Sequence, residues 1–223
     1  MRWGLIPSFA EGRADQSPIT VDLDAIMDSP IYRAPWLNSQ RCILPLAGFY
    51  AWQLTNRRYR QPHFIHLLDR SVFGVAAIWD RSVSDDDDVI ESCSIICVAP
   101  NELMIAIANT DGRMPAILRR KDYQAWLRGT PVAAKATLHP YIKSGMHAYP
   151  ASPRINSTAP DDPALIRPVE IGIVAGNQTA ITAAALRHLL DGRSVCHVTS
   201  EFVLLRVVRC PLSRQAAIRI MRP

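Results

Sequence analysis

The sequence predicts an α+β domain, mainly an antiparallel, curled, barrel-like β-sheet with peripheral helices. Three observations lead there. Short apolar runs broken by turn residues fill the first two thirds of the chain, the pattern of sheets that curl on themselves. Helical spacing is confined to a few short stretches. The chain has 223 residues, 48% of them apolar, which suits one core of ordinary size.

Leu23 to Ile31 has helical spacing. Arg41 to Leu44 reads as a strand leading into Gly48-Phe49-Tyr50-Ala51-Trp52, an aromatic sheet segment. Asn56-Arg57-Arg58 reads as a hairpin turn. Pro62 to Leu68 alternates and stops at Asp69-Arg70. Val72 to Trp79 is a further apolar strand, and the acidic loop Asp85 to Asp88 follows it. Ile90 to Val98 completes this run of strands. Asn101 to Ala108 and Arg120 to Leu127 read as helices, the second with Tyr123, Trp126 and Leu127 at helical spacing.

The pattern changes near Pro168. Residues 1–169 are expected to form one domain, with 170–223 a helix-strand extension packed on it. Asn177 to Leu190 reads as an amphipathic helix ended by Asp191-Gly192, and Glu201 to Cys210 as a strand. The strand near Phe202 to Val208 is expected to close an exposed sheet edge. A dimer contact is the alternative, and the oligomeric state stays open.

Net charge is +5, from 25 Lys and Arg against 20 Asp and Glu. Arginine leads the positive side, which favours planar recognition of phosphate or carboxylate. The cysteines at 42, 93, 97, 196 and 210 are odd in number, which points to a reducing, cytoplasmic location. Cys93 and Cys97 would share one strand face, and no second pair completes a metal site. The six histidines lack ligand spacing. No metal and no cofactor is expected. No apolar run reaches the length of a membrane span, so no membrane partner is expected.

The chemistry-bearing motifs occur in order. Arg2-Trp3-Gly4-Leu5-Ile6-Pro7 comes first, then Arg41-Cys42-Ile43 through Gly48-Phe49-Tyr50-Ala51-Trp52. Ala76-Ala77-Ile78-Trp79, Arg113-Met114-Pro115 and Tyr149-Pro150-Ala151-Ser152 through Asn156 follow. Together these resemble the SRAP family, the SOS-response-associated peptidases that shield abasic sites in single-stranded DNA. The resemblance implies the SRAP fold over residues 2 to about 169.

It also implies a chemistry. The family uses a cysteine directly after the initiator methionine. Its amine and thiol condense with the ring-opened sugar aldehyde and close a thiazolidine. Here residue 2 is Arg2, so a divergent, N-terminally truncated member is expected, with a start upstream of Met1 left open. The family's Gly-Phe-Tyr-Glu-Trp glutamate falls on Ala51. Its Asn-Ala-Arg…Glu element falls on Thr20, Val21, Asp22 and Asp24, which reverses charge at the phosphate-binding arginine. Its histidine falls on Thr110 or Asp111. Alanine holds no proton and threonine is a poor base. The expectation is therefore degenerate positions at Thr20, Ala51 and Asp111, no catalytic cysteine, and no enzyme.

Arg113 is the candidate for holding a DNA phosphate, against an ion pair with Asp111 or Asp22. Phe9 is the candidate for stacking on a base. Arg57 and Arg58, with Tyr59 and Arg60, form a basic tip that would clamp a strand or simply face solvent. Asp111-Gly112 also fits a plain turn. The function expected is weak, non-covalent binding of single-stranded DNA by a protein related to abasic-site sensing. The alternative is a non-catalytic scaffold or protein-interaction module, or a decayed mobile-element copy, with no DNA role.

Overall fold

The computed structural model describes residues 1–10, 17–55, 59–109, 112–156 and 162–170. In chain order the strands are β1 (Arg2–Trp3), β2 (Thr20–Asp22), β3 (Arg41–Leu46), β4 (Phe49–Leu54), β5 (Arg60–Leu67), β6 (Phe73–Val83), β7 (Val89–Val98), β8 (Met114–Pro115), β9 (Ile117–Leu118) and β10 (Met146–Pro150). The helices are α1 (Pro30–Leu37), α2 (Glu102–Ile107), α3 (Tyr123–Arg128) and α4 (Pro131–Lys135).

The strands make two sheets. The larger runs β1-β7-β6-β3, with β2 and β8 also paired to β7 and β9 paired to β6. The smaller is β10-β5-β4. This corrects the expected antiparallel barrel. β1 and β2 both run parallel to β7, and the path from β1 to β3 is open. The physical reason is strand length. β1 and β2 hold two and three residues, too few for alternation to announce a strand or its direction.

The long strands follow their composition. β6 and β7 are nearly continuous apolar runs, buried from Phe73 to Ile78 and from Ser92 to Val98, as strands covered on both faces must be. The acidic segment Asp85 to Asp88 turns between them, where Ser84 N–H donates to the Asp88 carbonyl. The helix expected over Leu23 to Ile31 starts later. A single 3-10 turn covers Leu23–Ala25, and α1 begins at Pro30. Proline fits the first helical turn because its missing N–H has no partner to lose there. α2 and α3 lie where their spacing places them.

One buried cation ties helix to sheet. Arg41 is 0% exposed. Its guanidinium lies 5.9 Å from the Trp36 ring centre and 5.7 Å from that of Trp126. Nε donates to the Trp126 carbonyl at 2.6 Å, and a terminal nitrogen donates to the Gly129 carbonyl. Both carbonyls lie at the C-terminal end of α3, where partial negative charge gathers. Trp126 returns a bond from Nε1 to the Cys42 carbonyl at 2.9 Å. Gly74 lets α3 sit close, since a Cβ there would run into the Tyr123 hydroxyl and the Ile43 side chain.

Tyr32 fastens α1 to β7. Its hydroxyl lies 3.2 Å from Ser94 Oγ and 3.4 Å from the Thr20 carbonyl. Burial pushes its phenol up to about 12, against the Ser94 hydrogen bond, which lowers it.

Two measurements follow. Arg41→Lys keeps a charge but loses the fork, and should cost about 2–4 kcal/mol, since each bond from a charged donor is worth about 1.5–3. Arg41→Met should cost more, because it takes away every donor and leaves the Trp126 and Gly129 carbonyls unpaired in the core. Urea midpoints at constant slope check both, and R41M costing less than R41K would refute the account. For Tyr32 the raised phenol means stability is complete below pH 10 and is lost as pH climbs toward 12. Tyr32→Phe should therefore remove about 2–3 kcal/mol of the alkaline loss in that window. Parallel alkaline melting curves for both proteins would contradict it.

Candidate nucleic-acid interface

The surface around Arg113 is built by the end of β7. Asp22 is in register with Cys97 on β2, and Pro115 is in register with Cys97 on β8. The two short strands therefore bracket the same residue of β7. Gly112 turns in the left-handed region, with φ of 59°, and Met114 is fully buried. Arg113 is left at the mouth between them. Its Nη1 donates to both Asp22 carboxylate oxygens, each at 3.1 Å. The pair crosses the end of β7 and stays half in water, with side-chain exposures of 33% and 45%. An ion pair this exposed contributes under about 1 kcal/mol.

Phe9 sits elsewhere. It is 65% exposed on a 3-10 turn over Ser8–Ala10. Asp80 holds that turn. Its carboxylate accepts from Ser8 N–H at 2.8 Å, Gln40 Nε2 at 3.1 Å and Arg81 N–H at 2.8 Å. Asp80 is in register with Ser92 on β7, five residues before Cys97, so roughly 17 Å of strand separates the Phe9 turn from Arg113.

The other expected positions scatter. Thr20 is half-buried in β2, in register with Ile95. Ala51 is 2% exposed in β4, in register with His63 on β5. His63 is also buried, its ring bonded to the Gln61 carbonyl at 3.2 Å, and burial holds its imidazole below the ordinary value. Arg57, Arg58, Thr110 and Asp111 lie outside the described residues, as does the expected extension beyond residue 170. At the end of the β4–β5 pair, Thr55 N–H donates to the Tyr59 carbonyl at 3.2 Å.

Asn109 was given no role of its own from the sequence, yet it bonds to the end of β4 in the smaller sheet. Its side chain accepts from Leu54 N–H at 3.0 Å and donates to the Leu54 carbonyl at 3.1 Å. Gln53 Nε2 adds a bond to the Ala106 carbonyl at 3.0 Å. No local signal marks it, because Leu54 lies 55 residues away in the chain.

The expectation of a non-enzyme without its cysteine needs correction. The chain holds five cysteines, and Cys42, Cys93 and Cys97 are thiols buried in the larger sheet. Cys93 is held below the ordinary thiol range, first by a hydrogen bond with Cys42, against burial, and with help from the N-terminal charge. Absence of cysteine therefore carries no argument about activity here.

Residues 1–158 match the family described as SOS response associated peptidase (SRAP). The chain is 32% identical over 170 residues to the abasic site processing protein YoqW of Bacillus subtilis (strain 168), covering 74% of each. It is 27% identical to the abasic site processing protein HMCES of Mus musculus, covering 77% of this chain and 56% of that one. A solved structure of a Bacteroides thetaiotaomicron protein superposes with a TM-score of 0.70 at 29% identity, covering 75% of each chain.

Burial makes a prediction about the thiols. Cys42, Cys93 and Cys97 should resist iodoacetamide in the native protein and label fully in denaturant, since buried thiols are shielded from reagents. Peptide mapping by mass spectrometry reads this. Fast native labelling of Cys42 would contradict the packing around Arg41.

Proposed function

This chain belongs to the SOS response associated peptidase family, and from that premise we propose that it binds single-stranded DNA non-covalently through phosphate and stacking contacts. The observation that carries the reading is Arg113, set at the open end of β7 in a half-exposed ion pair with Asp22. A guanidinium that is already satisfied by a carboxylate geometrically fits a phosphate, which offers oxygens at similar spacing. Asp22 competes for it, but an exposed pair costs little to exchange. Phe9 adds an aromatic face on a turn fixed by Asp80, suited to stacking without sequence preference. The net charge of +5 favours a polyanion. No base-reading motif accompanies these groups, so binding is weak, indifferent to sequence and sensitive to salt. Among the described residues no helix is long and apolar enough to cross a membrane.

Fluorescence anisotropy of a labelled single strand at two salt concentrations tests this. Affinity should fall as salt rises, because phosphate contacts release counterions. Arg113→Ala should weaken binding by about 1–3 kcal/mol, the scale of a charged hydrogen bond. Asp22→Asn should tighten it by up to about 1 kcal/mol, by removing the negative charge that competes with a phosphate there. Binding that ignores both salt and Arg113 would sink the proposal, and so would no binding at low salt.

A further inference from the structure

One face of the smaller sheet carries a row of rings, buried at one end and open at the other. Its register sets Tyr50 beside Phe64 and Phe64 beside Tyr149, with His66 beside His147 one step along. Tyr50 and Phe64 are roofed by Ala151, Ile155 and Leu165 in a second small core. The roof stops at Ile166, whose carbonyl accepts from the Tyr149 hydroxyl at 2.6 Å. Beyond that edge Phe64, His66 and Tyr149 wall a cleft of about 570 Å³. His66 lies 5.8 Å from Tyr149 and 5.4 Å from His147, ring centre to ring centre. His147 is exposed and lies 5.9 Å from Tyr149.

The polar side of the cleft holds Asp69, Arg70 and Ser71. Arg70 forks onto Asp69 through Nε and a terminal nitrogen. Arg120 lies close enough for its charge to act on the same carboxyl. Arg167 directly follows Ile166 and is exposed. Arg70, paired with Asp69, lines the cleft itself; Arg167 adjoins the lining residue Ile166, and Arg120 lines the neighbouring cleft beside Tyr123. Rings with flat faces, donors and acceptors at the edge, and a positive rim define a recognisable chemistry. A planar heteroaromatic ring gains on the wall, and an anion attached to it gains on the rim. The volume suits such a ligand.

We propose that this cleft is a second stacking platform, taking unpaired bases of a single-stranded nucleic acid on His66 and Tyr149, with the phosphates tracking past Arg120 and Arg167. It is separate from the Arg113 surface, which belongs to the larger sheet, and goes beyond it. Stacking on an aromatic side chain is worth about 1–3 kcal/mol per base, so removing the His66 ring should weaken strand binding roughly 5- to 100-fold. Restoring a ring should restore the affinity.

The test uses the full chain and a single-stranded oligonucleotide carrying 5-iodouracil, cross-linked by light and mapped by mass spectrometry. Cross-links at His66, His147 or Tyr149 are expected. In anisotropy, His66→Ala should lose affinity with the salt slope unchanged, His66→Phe should keep it, and the double change R120A/R167A should flatten the slope. Melting temperatures verify that each variant is folded, and the cross-link map of the unaltered protein decides the matter should one fail to fold. Cross-links confined to the Phe9 and Arg113 surface, with H66A unaffected, overturn this proposal and leave the Arg113 reading standing. Cross-links at the histidines with R113A unaffected support this platform and remove the other reading. Binding of free nucleosides or of a peptide to the cleft, without any strand cross-link there, also overturns it.

Discussion

Both edges of β7 must be hydrogen-bonded, and much of this structure follows from that requirement. The strand is buried from Ser92 to Val98, where an unpaired amide or carbonyl costs as much as a lost hydrogen bond. β6 satisfies one edge as far as Ile95, and β8 then takes over at Cys97. β1 and β2 satisfy the other edge in parallel. These short strands exist because β7 needs partners. Their positions are then fixed by register, and so are the side chains at their ends. Asp22 and Arg113 meet because β2 and β8 both end beside Cys97.

That dependence explains what could be read from the sequence and what could not. β3, β4, β5, β6 and β7 carry their own apolar pattern, and each lies where its residues indicate. α2 and α3 do the same. β1, β2, β8 and β9 hold only two or three residues, and their strand character comes from the neighbour. No local property of Thr20-Val21-Asp22 announces a parallel strand. The barrel expectation failed for this reason: a count of alternating runs assumes that neighbours in sequence pair antiparallel, and the parallel pairings are set by tertiary demand.

The surface residues divide the same way. Arg113 was legible because it sits in a recognisable run, Arg113-Met114-Pro115, and its pairing with Asp22 was among the alternatives. Phe9 was legible as an aromatic after a proline, but Asp80, which fixes its turn, was not. A lone aspartate inside an apolar strand has no local signature of the three donors it collects. Arg41 is similar. In sequence it opens a strand, and only the arrival of α3, some eighty residues later, turns it into a buried clamp. The ring row on the smaller sheet is also a tertiary product, since β10 brings His147 and Tyr149 beside β5.

The two proposed contact surfaces differ in how they would hold a strand, and the difference follows from solvation. Arg113 already has a carboxylate, so a phosphate exchanges one exposed anion for another and the net gain is small. Much of the benefit is counterion release, which salt removes. The cleft on the smaller sheet works through ring faces. Stacking there gains from displaced water and dispersion, neither of which salt screens. A strand touching both surfaces would therefore show two separable components, a salt-dependent one set by the arginines and a salt-resistant one set by His66 and Tyr149. Because the surfaces lie on different sheets, substitutions in one should not alter the other, and their effects on binding free energy should add as independent sites do.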